Sequence, residues 1–241
     1  MKKAFTLLFI IVSCLTEAEA YMEQYPPFPF KGKNLPPHLE VEKLIEFEGG
    51  ATVKKLEGLQ VELLGPDSMH FWGWLRIGDG ERIIFETKKD KTPFAYAIYY
   101  ADLDNNGLKD FIIFSSYHSC GLSVNDRVDI LFQTGKCAFS HIHYDTMSAS
   151  LKDFVDMNGD GVYEVIHTDL YGASRHNYFV YSIYEIKGAE LRNANKKYPK
   201  VFPKFIWFTY KPNDKPSARI TREEKEEYLR TLPEAIRGER R

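Results

Sequence analysis

Only three cysteines occur in 241 residues, none spaced as Cys-x-x-Cys, so the sequence encodes no thioredoxin-like redox pair. There is no basic surplus either: a formal charge of −2 leaves the chain without the field that draws nucleic acid or an anionic membrane surface. The longest apolar run, Ala4 to Val12, is far shorter than the roughly 20 residues that span a bilayer, so no transmembrane helix is expected. A phosphate loop, a dinucleotide fingerprint, a zincin helix and a Gly-x-Ser-x-Gly elbow are also missing. "YGASRH" places a serine two residues from a histidine, too close to form a nucleophile and base across a cleft, and reads as a loop.

What is present begins with "MKKAFTLLFIIVSCLTEAEAY". Two lysines, a short apolar core and the small-residue site Ala18-Glu19-Ala20 make residues 1–20 a secretory signal peptide, and the chain a secreted or periplasmic protein. Ile11-Val12-Ser13-Cys14 also resembles a lipobox, in which Cys14 would carry a lipid anchor and the product would be a membrane-anchored lipoprotein. Cleavage after Ala20 gives the more ordinary proportions. Both routes leave Cys120 and Cys137 as the remaining thiols, and an oxidising compartment allows them one disulfide; two buried free thiols are the alternative.

Residues 21–37, with five prolines, read as an extended arm. Residues 38–220 then form a β-rich domain, in which short apolar runs alternate with Gly, Asn, Asp and Pro. The runs are "GLQVELLG", "FWGWLRIG", "RIIFET", "FAYAIYYA", "DFIIFSS", "VDILFQ", "AFSHIHYD", "YEVIHTDL", "YFVYSIYEI" and "KFIWFTY". Their spacing predicts a mainly β fold, with tight hairpins at "GDGERIIFE" and "TGKCAF". An aromatic content of 15% suits strands. Residues 221–241 differ: Thr221 and Glu224 form a capping box ahead of good helix formers, and Tyr228, Leu229 and Leu232 give a thin apolar face. That predicts a C-terminal surface helix and tail.

Two acidic segments carry the chemistry. "DLDNNGLKD" runs from Asp102 to Asp110 and "DMNGDGVYE" from Asp156 to Glu164. Aligning their first aspartates also aligns the apolar run after each, and sets "FAYAIYYA" over "SASLKDFV" before them. Calcium takes six to eight oxygens, which a chain supplies locally only by turning around the ion. Asp102, Asp104 and Asn106 in one loop, and Asp156, Asn158 and Asp160 in the other, offer alternate side chains. Gly107 and Gly161 allow the reversal. The carbonyls of Leu108 and Val162 then face the ion, and Asp110 and Glu164 close the two cages. Asx-rich turns without metal are the alternative reading, since Asp, Asn and Gly dominate turns on their own account.

The start of each loop resembles an EF-hand, but position 12 is Ile113 or His167 rather than glutamate. The closer resemblance is to the calcium loops of FG-GAP or VCBS-like (integrin-type) repeats, where Asp-x-Asp-x-Asp-Gly-x-x-Asp lies between strands. Asn106, Asn158 and Glu164 depart from that pattern while keeping an oxygen at each position, and no Phe-Gly-Gly-Ala-Pro is present. The resemblance implies strand-loop-strand modules in a partial or small propeller-like array. Residues 38–220 hold only about three to four such units, against four to eight blades in a closed propeller.

His141 and His143 share one face of a strand, a spacing that serves a transition metal, with His118, His167 or His176 as further donors. A half-exposed surface pair is the alternative and, without a nearby glutamate at ligand spacing, the preferred reading. Trp72, Trp74, Tyr99, Tyr100, Trp207 and Tyr210 serve either as a β core or as a platform for glycan or peptide. The resulting expectation is an exported calcium-binding β-rich binding or scaffold module, recognising a protein or glycan partner, with calcium in a structural role. The alternatives are a periplasmic metal-dependent hydrolase and a lipid-anchored envelope assembly factor.

Overall fold

A computed structural model describes residues 39, 41–46, 51–56, 58–64, 74–87, 94–117, 125–173, 176–207 and 220–237. Residues 1–20, expected as a signal peptide and holding Cys14, residues 21–37, expected as an arm, and Phe71, Trp72, His118, Cys120 and Tyr210 lie outside these residues. The described chain is mainly β, in three antiparallel sheets with one α-helix.

The first sheet joins β2 (Ala51–Leu56), β3 (Leu59–Leu64), β4 (Trp74–Gly78) and β5 (Ile83–Glu86) in chain order. The second orders β1 (Glu42–Glu46), β6 (Phe94–Ala101), β7 (Asp110–Ser116), β8 (Asp126–Gly135) and β9 (Ala138–Thr146) side by side. The third runs β10 (Phe154–Val155), β11 (Glu164–Gly172), β12 (Asn177–Ile186), β13 (Glu190–Asn193) and β15 (Ala235–Arg237). β14 (Lys204–Trp207) also pairs β12, beyond the stretch that β13 occupies. Among the described residues the first two sheets have a linear strand order, and the third branches at β12.

The middle sheet is covered on both faces, which explains why "DFIIFSS" reads as a continuous apolar run rather than an alternating one. Ile112, Phe114, Val128, Ile130 and Ile142 pack towards Phe154, Val165, Tyr184 and Leu191 of the third sheet. The opposite-facing Phe111, Ile113 and Leu131 pack towards Val61, Leu63, Leu75, Ile77 and Phe85 of the first. Period-two alternation along one strand therefore serves two cores at once.

All ten runs read as strands from the sequence lie on strands, namely β3 to β9, β11, β12 and β14. The segment aligned with β6 ahead of the second loop differs. Its Leu151–Asp153 stretch forms a 3-10 turn capped by Ser150, leaving only the two-residue β10, because Ser150 and Asp153 bond each other's backbone N–H. At the C-terminal end Thr221 and Glu224 form the expected capping box of α1 (Arg222–Thr231). Tyr228 buries against Tyr178, Val180 and Phe205 while Leu229 is exposed, so α1 is a surface helix. The expected tail contributes a strand: Ala235–Arg237 pair with β13. Among the described residues no helix is long and apolar enough to cross a membrane.

Candidate metal centres

The two acidic loops occupy equivalent places, one between β6 and β7, the other between β10 and β11. Their backbones share two left-handed positions and three hydrogen bonds, although the second N–H on the position 1 carboxylate comes from Asn106 in one loop and Gly159 in the other. Position 4 is left-handed in both, as Asn105 (φ 56°) and Gly159 (φ 76°), and so is position 6, as Gly107 (φ 80°) and Gly161 (φ 83°). Asparagine tolerates that region because its short side chain bonds locally. The carboxylate at position 1 accepts from the position 6 N–H, with Gly107 N to Asp102 Oδ2 at 2.9 Å and Gly161 N to Asp156 Oδ2 at 3.0 Å. Position 9 accepts from the position 2 N–H, with Leu103 N to Asp110 Oδ2 at 2.9 Å and Met157 N to Glu164 Oε2 at 2.8 Å. Position 5 accepts from the position 7 N–H, through Asn106 for Leu108 and Asp160 for Val162.

The loops also touch each other. Tyr163 N donates to the Leu103 carbonyl at 3.0 Å, and Asn105 Nδ2 donates to the Asp160 carbonyl at 3.3 Å. Two hairpins from different sheets thus meet tip to tip.

Side-chain oxygens are arranged less alike. In the first loop Asp102, Asp104 and Asp110 bring ligand oxygens within 4.8 Å of one another. Asp104 Oδ1 is buried with no hydrogen-bond partner. Burial, aided by the neighbouring Asp104 and Asp102, pushes the Asp110 carboxyl up to about 7 against the opposing pull of the Leu103 and Gln133 N–H groups. Burial likewise raises Asp104, with Asp102 adding to it. Crowded, desolvated carboxylates of this kind favour a cation between them. In the second loop Glu164 has both oxygens engaged, by Met157 N and by the Tyr198 hydroxyl at 2.9 Å. Asn158 Nδ2 donates to Asp160 Oδ2 at 2.9 Å, so that loop partly satisfies itself. Among the described residues only the first loop gathers three carboxylates closely enough to hold a cation; Asp156, Asp160 and Glu164 do not converge in that way.

A second constellation was only half visible in the sequence. His141 and His143 lie on β9 facing Asp129 of β8, and the three bring ligand atoms within 4.8 Å of one another. His141 is buried rather than half-exposed. Its Nε2 lies 2.7 Å from Asp129 Oδ1, whose carboxylate also accepts from Arg127 Nε and Nη2, both at 2.9 Å. The hairpin at "TGKCAF" brings Asp129 near this pair, but the pairing of Gly135 with Ala138 alone would set it across from Tyr144; a one-residue irregularity between Gln133 and Gly135 moves it across from His143. The other described histidines stand apart. His167 Nε2 meets the Asp145 carbonyl at 2.7 Å, and His176 packs on Trp207.

The expected disulfide is corrected. Cys137 is a free thiol at the β8–β9 turn, with φ 53°. The ten residues of β8 put its two ends about 30 Å apart at about 3.3 Å per residue. The six residues from Cys120 to Asp126 reach at most about 21 Å back along the strand, too short for the roughly 7 Å limit between bridged Cα atoms. Of the aromatic platform, Tyr100 is buried in the core, and Trp74 donates to Glu86 beneath the Arg76 guanidinium.

No protein-family model, curated protein or solved structure matched the chain.

Proposed function

We propose that the chain is an exported, calcium-stabilised β-rich binding or scaffold module, built on FG-GAP-like strand-loop-strand units whose paired loops each take one calcium ion. Asp102, Asp104, Asn106 and Asp110 would hold one ion, and Asp156, Asn158, Asp160 and Glu164 the other, with the Leu108 and Val162 carbonyls completing the shells. The observation that carries this reading is Asp104 Oδ1, a buried carboxylate oxygen without a partner beside two further carboxylates. A divalent ion supplies what that oxygen lacks and offsets the mutual repulsion of the group. The ions act structurally. They tie β6 to β7 and β10 to β11 and, through the contacts between Leu103 and Tyr163 and between Asn105 and Asp160, dock the third sheet on the second. Protein or glycan remains the class of partner for such a module.

The test is a melting curve of the purified protein in chelator and after calcium is restored. Ions that bind the folded chain alone add RT ln(1 + [L]/Kd), about 2.7 kcal/mol per site at a hundredfold excess over Kd. Calcium is therefore expected to raise Tm by several degrees, and Asp102→Ala combined with Asp156→Ala to abolish that response. A melting curve indifferent to calcium overturns the proposal.

A further inference from the structure

The Asp129, His141 and His143 cluster is chemically unlike the acidic loops and lies away from them, on the face of the middle sheet that packs towards Phe85 of β5. Arg127 donates to both oxygens of Asp129, which keeps that residue a carboxylate and hence an acceptor only. The hydrogen between Asp129 Oδ1 and His141 Nε2 therefore belongs to the imidazole. That leaves His141 Nδ1, which is buried with no hydrogen-bond partner on a residue only 8% exposed. No protein group on Nδ1 fixes the tautomer, so Nε2 can give up its hydrogen to a metal. His143 stands beside it, exposed, with the two rings stacked at 5.7 Å between centroids.

We propose that Asp129, His141 and His143 bind a borderline divalent transition-metal ion, with zinc as the reference cation. His141 Nε2, one nitrogen of His143 and one oxygen of Asp129 are the ligands, and water fills the remaining positions; the metal takes the place of the Nε2 hydrogen, and the neutral His141 ring then carries its one hydrogen on Nδ1. Arg127 occupies only part of the acceptor capacity of Asp129, since each carboxylate oxygen has two lone pairs, and it orients the carboxylate from outside. Two imidazoles and a carboxylate suit zinc, copper or nickel, whereas calcium and magnesium prefer oxygen throughout. The site is thus selective against the ion proposed for the loops, and its occupancy is independent of them.

The experiment is a competition titration of zinc against a chromophoric chelator, on the purified protein with calcium in excess, accompanied by cobalt(II) absorption as a reporter of nitrogen ligation. One zinc per chain is expected. His143 is exposed, so His143→Ala tests the site with little threat to the fold, and it is expected to weaken zinc binding roughly 100-fold and remove the cobalt bands. Arg127→Gln, which loosens Asp129 without removing a ligand, is expected to weaken it about 10-fold. Cys137→Ser is expected to change nothing, although a thiolate is the softer ligand. No zinc uptake in the micromolar range overturns the proposal, as does unaltered affinity in His143→Ala or loss of binding in Cys137→Ser.

Discussion

The two acidic loops have one backbone and two different electrostatic characters. Both place the position 6 N–H on the carboxylate at position 1 and the position 2 N–H on that at position 9, and both turn through left-handed residues at positions 4 and 6. The difference begins at position 3, where a carboxylate stands in one loop and an amide in the other. Asn158 can donate and uses its Nδ2 on Asp160, whereas Asp104 cannot donate and leaves Oδ1 buried without a partner. Position 9 widens the gap: Glu164 reaches the Tyr198 hydroxyl, while the second oxygen of Asp110 is met by the main-chain N–H of Gln133. The turn is therefore written in the glycines and the first aspartate, and the appetite for an ion in the side chains at positions 3 and 9.

Removing position 9 should break the two loops unequally, with the largest effect of any change considered. Asp110 is fully buried and serves two backbone donors, Leu103 in its own loop and Gln133 on β8. Asp110→Ala leaves both unsatisfied, and at about 1–3 kcal/mol per orphaned group the expected loss is about 2–6 kcal/mol. Glu164→Ala orphans only Met157 N, because the half-buried Tyr198 hydroxyl can turn to water, so about half that loss is expected. Urea denaturation in chelator measures both, and equal losses would show that the loops are braced alike.

A pH series sharpens the same contrast. The folded-state pKa of Asp110 is raised to about 7 from an ordinary value of 3.8, so in the cation-free protein its contribution to stability is full below about pH 4 and disappears as pH rises through 7. The expected slope is at most about 1.4 kcal/mol per pH unit for one group. Asp110→Asn should flatten it. Glu164 is raised in the same direction, by burial first and then by Asp160 and Asp156, with Met157 and Tyr198 opposing, so Glu164→Gln should flatten it less. Calcium should suppress the slope by holding the carboxylates ionised, and a chelated protein with flat stability from pH 4 to 7 contradicts the account.

Much of this architecture was legible because strands and Asx turns are local. Each of the ten alternating or continuous apolar runs became a strand, and both glycines at position 6 took the conformation that the pattern demanded. What escaped was non-local. β13 and β15 are short and owe their state to pairing with neighbours. β10 shrank because Ser150 and Asp153 offered the backbone a capping box instead of a ladder. Tyr198 on Glu164, Gln133 on Asp110 and Asp129 beside His141 each come from elsewhere in the chain, and only strand register brings them in.

The smallest expected effect lies where the loops touch. Gly107 and Gly161 share a positive φ, and alanine at either incurs about 1–2 kcal/mol for the left-handed backbone. Around Gly107 an added Cβ meets nothing within 4 Å, so Gly107→Ala should lose only that amount. At Gly161 the same atom would lie 2.9 Å from Asn105 Nδ2 and 3.3 Å from its Cγ. Asn105 must then swing away and give up its bond to the Asp160 carbonyl. Gly161→Ala should therefore cost about 0.5–1.5 kcal/mol more than Gly107→Ala, the worth of one modest hydrogen bond. A double-mutant cycle isolates that part: with Asn105→Ala already in place, Gly161→Ala should fall to the cost of Gly107→Ala. If the excess survives removal of the Asn105 side chain, the strain at Gly161 is its own, and the contact through Asn105 does not help to join the two loops.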